Sequence, residues 1–220
     1  MIIFTLNRKT VIRFFIISII TFFSTCVLNS QSRIDSLLSL LPDAKNDSAK
    51  VHLLIELSYE YHMNANKLFF KESLKKADSI TRKKDIYSRL EFYELFTVLY
   101  TRLELFDSLS AIYGRSAEIY AAKFDSINYF RRKNTEAYYL TVIGNYNKAN
   151  SILYKNLRFA ERKGDSNLLS EVYVHLGFGT RYSDSDKAKE FFEISLSYNN
   201  DSLNKYYNVC LNEIGNMYTY

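Results

Sequence analysis

The sequence has little of what the turns of a β-sheet require. Its 220 residues include six glycines, one proline and no tryptophan. A sheet protein turns about every ten residues, and those turns draw heavily on Gly, Pro and Asn-Gly pairs. Helices joined by short polar links need far fewer. The aromatic residues are 19 Tyr and 16 Phe, which suits the packing of rings between helices. The composition therefore predicts an all-α fold.

Residues that carry metal or redox chemistry are also scarce. The two cysteines are Cys26 and Cys210, and removal of residues 1–30 would leave Cys210 as the only thiol and exclude an internal disulfide. The histidines have neither the spacing of a helical zinc site nor a nearby acid and cysteine cluster; they are His52, His62 and His175. No nucleophile elbow or phosphate loop occurs. We expect no catalytic site, no metal site and no cofactor.

The net charge of +5 does not indicate nucleic acid. Residues 1–30 contain Arg8, Lys9 and Arg13 and no acid, and the remaining chain has 26 basic and 24 acidic side chains. Basic and acidic residues are interleaved along most of that remainder, as on solvated helix faces. Because phosphate neutralisation needs a concentrated basic surface, we do not expect a nucleic-acid partner.

The amino-terminal segment has the layout of a secretory signal peptide. A charged start precedes the apolar stretch 14–23, and the chain turns polar at residues 29–31. This stretch is shorter than the roughly 20 residues of a membrane-spanning helix. We expect residues 1–30 to be a cleaved signal peptide or a retained signal anchor, with lipidation at Cys26 as a third possibility. The protein is then exported, periplasmic or associated with the cell envelope, and contacts the membrane only through this segment.

Breaks that contain aspartate divide the chain into units of one size. They lie 38, 40, 40 and 36 residues apart, at Asp47, Asp85, Asp125, Asp165 and Asp201. An Asp at the start of a helix accepts hydrogen bonds from its first free amides. Between breaks, apolar residues recur three and four apart in two runs, which predicts a pair of antiparallel helices in each unit.

Small residues recur at matching places in these units. The clearest cases are Gly144-Asn-Tyr146-Asn-Lys-Ala149, Leu176-Gly177 and Ile214-Gly215-Asn-Met-Tyr218. This pattern resembles the tetratricopeptide repeat family, in which Gly or Ala lets two helices approach closely. The resemblance implies a tetratricopeptide-like superhelical solenoid of antiparallel helix pairs. About four and a half repeats cover residues 47–220, and the last repeat is incomplete.

The segments at either end of the repeats have their own expected roles. Residues 31–46 are expected to form a short capping helix, ended by Pro42, and a linker. The helix that begins near Lys205 is expected to leave one apolar face uncovered, which favours self-association.

The resemblance implies a non-catalytic module that binds a protein or a peptide in a concave groove lined by the first helix of each pair. The residues expected to face that groove are Tyr59, His62, Glu94, Asn134, Tyr138, Thr141 and Tyr173. An alternative function is the amino-terminal sensory region of a membrane-bound histidine kinase or helix-turn-helix transcription regulator, whose output domain would lie beyond Tyr220.

Overall fold

The computed structural model describes residues 31–198 and 205–218, so the expected signal segment 1–30 and Asp201 lie outside the described residues. The described residues form ten helices and no strand. Helix α1 covers 31–40, followed by α2 (Asp47–Met63), α3 (Lys67–Arg82), α4 (Ile86–Arg102), α5 (Phe106–Ala122), α6 (Ser126–Val142), α7 (Tyr146–Lys163), α8 (Ser166–Thr180), α9 (Ser185–Tyr198) and α10 (Lys205–Met217). The predicted all-α fold of stacked helix pairs, the class of a helical repeat solenoid, is confirmed.

Five of the links between successive helices share one backbone turn. One residue in each of them has a positive φ, namely Ala65, Glu104, Phe124, Gly144 and Gly164, of which the last four lie 20 residues apart. In each case the next amide donates a hydrogen bond to the carbonyl five residues earlier, at distances from 2.7 to 3.3 Å. This bond satisfies a carbonyl that the end of the helix would otherwise leave unpaired. Gly144 therefore serves the left-handed turn, rather than the close helix approach that the sequence suggested.

Aspartates begin three of the helices as predicted. The Asp85 carboxylate accepts hydrogen bonds from the amides of residues 87 and 88, and Asp125 and Asp165 each accept one from the amide three residues later. The prediction for Asp47 was wrong by one residue. Asn46 caps α2, and Asp47 lies in the first turn, where its carboxylate forms an ion pair with Lys84 at 2.5 Å. The capping chemistry is local, which is why sequence alone places it well.

The described residues separate into two compact units, the first ending at Leu95 and the second beginning at Phe96. In the first unit, Ile34 of α1 is buried against Leu57 and Tyr61 of α2. In the second unit, one core joins α6, α7 and α8, and another joins α8, α9 and α10 around the fully buried ring of Phe192. The cores hold the first helices of three successive pairs, α6, α8 and α10, side by side within the second unit.

Close approach of two helices is found at Gly177. A Cβ atom placed on this residue of α8 would lie 2.6 Å from Cε1 of Phe192 on α9. Real Cβ atoms do not come so near a ring, so only glycine fits without displacing Phe192. None of the helices that the structure describes is long and apolar enough to cross a membrane.

Candidate functional site

A cavity of about 850 Å³ lies on the second unit. Its walls come from α6, α8 and α10, with one further side chain, Tyr113, from α5. We call it the tyrosine cavity. Its lining residues are Tyr113, Asn128, Arg131, Arg132, Thr135, Tyr138, Tyr139, Asn167, Glu171, Val174, His175, Phe178, Tyr206 and Val209.

Helical periodicity places these side chains on one surface. The lining residues of α6 and of α8 recur three or four positions apart, so each set forms a stripe along its helix. The opposite faces of α6 and α8 are fixed in the apolar core, where Ala137, Leu140 and Val172 are buried. The stripes must therefore face away from that core, toward the cavity.

One buried polar group of the cavity is the carboxylate of Glu171. This residue is 7% exposed and forms a hydrogen bond with the hydroxyl of Tyr206 on α10. Burial, followed by the negative charge of Glu171 and this bond, raises the pKa of Tyr206 well above its usual range. Tyr206 therefore stays protonated at neutral pH and donates to Glu171, which links α8 to α10.

Aromatic rings surround His175, which lies one helical turn after Glu171 on α8. The imidazole is 5.5 Å from the ring of Tyr138 and 6.0 Å from that of Tyr206, measured between ring centroids. Tyr138 also contacts Phe178 edge-on, at 5.8 Å. These rings give the cavity a stiff apolar wall with hydroxyl groups at its edges, a surface suited to binding.

Two arginines lie at the α6 side of the cavity. The Arg132 guanidinium lies over the rings of Tyr113 and Tyr120, at 5.6 and 5.8 Å from their centroids. Arg131 is exposed, and its charge acts on Tyr206 to oppose the rise in the pKa of that hydroxyl. The accessible charge of the cavity is therefore positive, while Glu171 is buried beneath it.

A second cavity of about 460 Å³ continues the first, since both are lined by Tyr138, Phe178 and Val209. The Arg181 guanidinium at its edge forms an ion pair with Glu213 at 3.1 Å, which joins the end of α8 to α10. The same guanidinium lies over the ring of Tyr182, 4.5 Å from its centroid. Together the two cavities form one groove along the second unit.

Two of the predicted groove residues lie in this groove. Tyr138 lines both cavities, and Thr141, one turn later on α6, lines the second. Their location follows from the expected position on the first helix of a pair. That either residue binds a partner stays a prediction.

Two other predicted residues, Asn134 and Tyr173, do not line either cavity. Asn134 is fully buried, and its Oδ1 accepts a hydrogen bond from Asn156 Nδ2 of α7 at 2.6 Å. Its short side chain is held inside the helix pair and does not line either cavity. Tyr173 turns toward α9, where its ring stacks on Tyr198 at 5.8 Å and contacts Phe191.

The remaining three predicted residues belong to the first unit. His62 is exposed and contacts the edge of the Phe70 ring at 5.1 Å. Glu94 is exposed on α4, and Tyr59 is half-buried on α2. Within that unit, none of the three lines the shallow apolar cavity of about 370 Å³ beside Leu54 and Ile80.

Sequence reasoning missed Glu171, Tyr206 and the two arginines, although a signal for Glu171 was present. It is the only Asp, Glu, Lys or Arg in α8, a helix otherwise rich in apolar residues. An isolated acid in such a helix indicates a buried carboxylate with a partner. Tyr206 could not be found in this way, because its role depends on where α10 docks.

No group of three potential ligands among His, Cys, Asp and Glu lies close enough to hold a metal ion within the described part of the chain. Cys210 is fully buried, and burial raises the pKa of its thiol.

Comparisons with known proteins support the fold alone. The sequence matches no protein-family model and no curated protein sequence. Among solved structures, it is similar to BtubC (BKLC) from P. vanneervenii, with a TM-score of 0.54 and 16% sequence identity over 86% of this chain and 83% of that one. At this identity the likeness shows a shared helical fold.

Proposed function

We propose that this chain is a non-catalytic binding module of the tetratricopeptide type, exported from the cytoplasm, which holds an extended peptide segment of a partner protein. The observation that carries the proposal is the groove of the second unit, in which the first helices of three successive pairs present aromatic rings and hydrogen-bond donors. Stacked helix pairs form extended binding surfaces of this kind.

The chemistry of the groove suits a peptide. The rings of Tyr138, Phe178 and Tyr206 provide apolar contact area with little conformational freedom to lose. Asn128 lines the cavity, and although its Nδ2 donates to Asp125 at 2.7 Å, its Oδ1 can accept a hydrogen bond, while the exposed guanidinium of Arg131 can donate one. A peptide backbone needs both kinds of partner.

Selection from a library of random displayed peptides tests this function. We expect the full chain to select peptides whose affinity falls about tenfold or more in the Tyr138→Ala variant, because a central aromatic contact is lost. Arg158→Ala on α7 is the matched control, since this exposed residue lies outside both cavities. If no selected peptide distinguishes Tyr138→Ala from Arg158→Ala, the groove is not the binding site.

Export is tested separately. Mass spectrometry of the protein from the envelope fraction of the producing cells should show a chain that begins near residue 31. A chain that still begins with Met1 would indicate a retained anchor, an acylated Cys26 a lipoprotein, and recovery only from the cytoplasm would contradict export.

A further inference from the structure

The near-neutral charge of the chain after residue 30 conceals one strongly basic segment. Residues 67–84, which comprise α3 and the link after it, contain seven Lys or Arg residues and two acids. The rest of the chain after residue 30 contains 19 basic and 22 acidic side chains. The segment therefore carries a formal charge of +5, while the remainder carries −3.

Three lysines of α3 form a stripe. Lys67, Lys71 and Lys75 are four residues apart, which places them on one face of the helix, and all three are exposed. None of them forms an ion pair with any residue in the described ranges. Like charges four apart on a helix repel each other, so the stripe weakens α3 unless an anionic surface lies against it.

Exposed apolar side chains lie at the amino-terminal end of this stripe. Met63 ends α2 and is 62% exposed, and Leu68 and Phe69 in the first turn of α3 are 65% and 45% exposed. The Phe69 ring stacks on Tyr61, with centroids 5.2 Å apart. Helical periodicity places Leu68 next to Lys71 and Lys75 around the helix axis, and Phe69 on the flank of the exposed face, beyond Glu72.

We propose that this combined surface binds the anionic face of a phospholipid bilayer. The surface, called the α3 surface, consists of Lys67, Leu68, Lys71 and Lys75, with Met63 and Phe69 at its edges. Lysines gain from the negative potential of acidic lipids, and neighbouring apolar side chains enter the boundary between headgroups and acyl chains. A nucleic acid would satisfy the lysines alone and leave the apolar side chains in water, so the combination favours a bilayer.

The proposal departs from the expectation that only the amino-terminal segment contacts a membrane. It is independent of the groove, because the α3 surface belongs to the first unit and the groove to the second.

The chain contains no tryptophan, so Leu68→Trp introduces a single fluorescent reporter into the full-length protein. With vesicles that contain about 30% phosphatidylglycerol in phosphatidylcholine, the emission should shift to the blue, and brominated lipids should quench it. Vesicles of phosphatidylcholine alone should produce neither effect. Even where the amino-terminal segment inserts into both kinds of vesicle, its insertion alone would leave the tryptophan at position 68 in water and its emission unshifted.

Charge variants then test the lysines. In the reporter background, Lys67→Gln, Lys71→Gln and Lys75→Gln together should raise the lipid concentration at half-maximal shift about 100-fold, since each lysine near an anionic surface contributes roughly fivefold. The matched control removes three exposed cations from α7, by Lys155→Gln, Arg158→Gln and Arg162→Gln, and should leave the midpoint nearly unchanged.

Several results would overturn the proposal. One is an unshifted emission on anionic vesicles, and another is an equal shift on neutral vesicles. If the α3 and α7 variants raise the lipid concentration at half-maximal shift equally, binding depends on net charge and not on the α3 surface. A shift with duplex DNA or RNA, but not with vesicles, would identify a nucleic-acid surface instead.

Discussion

Among the glycines that the structure describes, Gly177 has the least room for a Cβ atom, and Gly177→Ala is therefore an informative single substitution. The added Cβ would lie 2.6, 2.7 and 2.9 Å from three atoms of the Phe192 ring. That ring is fully buried and also meets Phe178 edge-on, at 5.5 Å between centroids. It cannot move away without disturbing the core between α8, α9 and α10.

Two opposing effects set the magnitude. Alanine is better than glycine in a helix by about 1 kcal/mol, and forcing an extra carbon into a packed core costs about 1–3 kcal/mol. Because three ring atoms are crowded at once, we expect the upper part of that range. The net loss of unfolding free energy is then about 1–2 kcal/mol, which lowers Tm by roughly 3–6 °C for a chain of this size.

Gly215→Ala is the matched comparison, because Gly215 lies in α10 with no atom within 4 Å of its would-be Cβ. It should raise the unfolding free energy by up to about 1 kcal/mol. Urea unfolding followed by circular dichroism measures both changes. A double-mutant cycle with Phe192→Leu completes the test, since the smaller side chain should remove the penalty of Gly177→Ala. An equal gain in stability for both glycine variants would refute the argument, as would an unchanged penalty in the Phe192→Leu background.

Three further predictions concern single residues. Phe124 has a φ of 57° and is 94% exposed, so Phe124→Gly should stabilise the protein by about 0.5–1 kcal/mol in urea unfolding, while Phe124→Ala, with the same strain, should change little. The side chain and amide of Asn128 lower the pKa of Asp125 from 3.8; this stabilisation is present above pH 3.8 and is lost as the pH falls through the lowered pKa. Asp125→Ala should therefore lower Tm at neutral pH, and a difference in Tm that persists in strong acid would contradict the capping role. Cys210 should react with iodoacetamide at pH 8 at least about tenfold more slowly in the folded protein than in urea, as measured by peptide mapping, because its thiol is buried and its pKa is raised; equal rates would show that α10 opens freely.

The sequence predicted those parts of the fold that depend on local chemistry. The caps at Asp85, Asp125 and Asp165 were found because a carboxylate before a helix satisfies amides only a few residues away. The helix pairs were found because apolar spacing reports which face of a helix is buried. The prediction that Gly177 allows two helices to approach closely is confirmed, although the sequence did not identify Phe192 as the residue that packs against it.

The groove was harder to predict, because side-chain direction within it depends on how each helix is rotated against two neighbours. Asn134 and Tyr138 are one turn apart on α6, yet only Tyr138 reaches the cavity. The short Asn134 side chain pairs with Asn156 on α7, while the longer Tyr138 extends past the helix pair to Phe178 on α8. Spacing along one helix assigns both residues to similar faces. Only the positions of the neighbouring helices determine which of the two side chains reaches the cavity.

The turn that ends the helices occurs both with and without glycine, so the spacing of the glycines shows only part of the repeat. Links inside a helix pair and links between pairs use the same five-residue hydrogen bond, so from α4 to α8 the backbone repeats every 20 residues, half the spacing of the aspartates. Each such turn needs one residue with a positive φ, a conformation that is unstrained for Gly144 and Gly164 but costs roughly 1–2 kcal/mol for Glu104 or Phe124. That cost is smaller than the stability that would be lost if the helix ends had no hydrogen-bond partners and the helix pairs did not pack. Tertiary packing therefore sets the turn, and the residue at its centre varies.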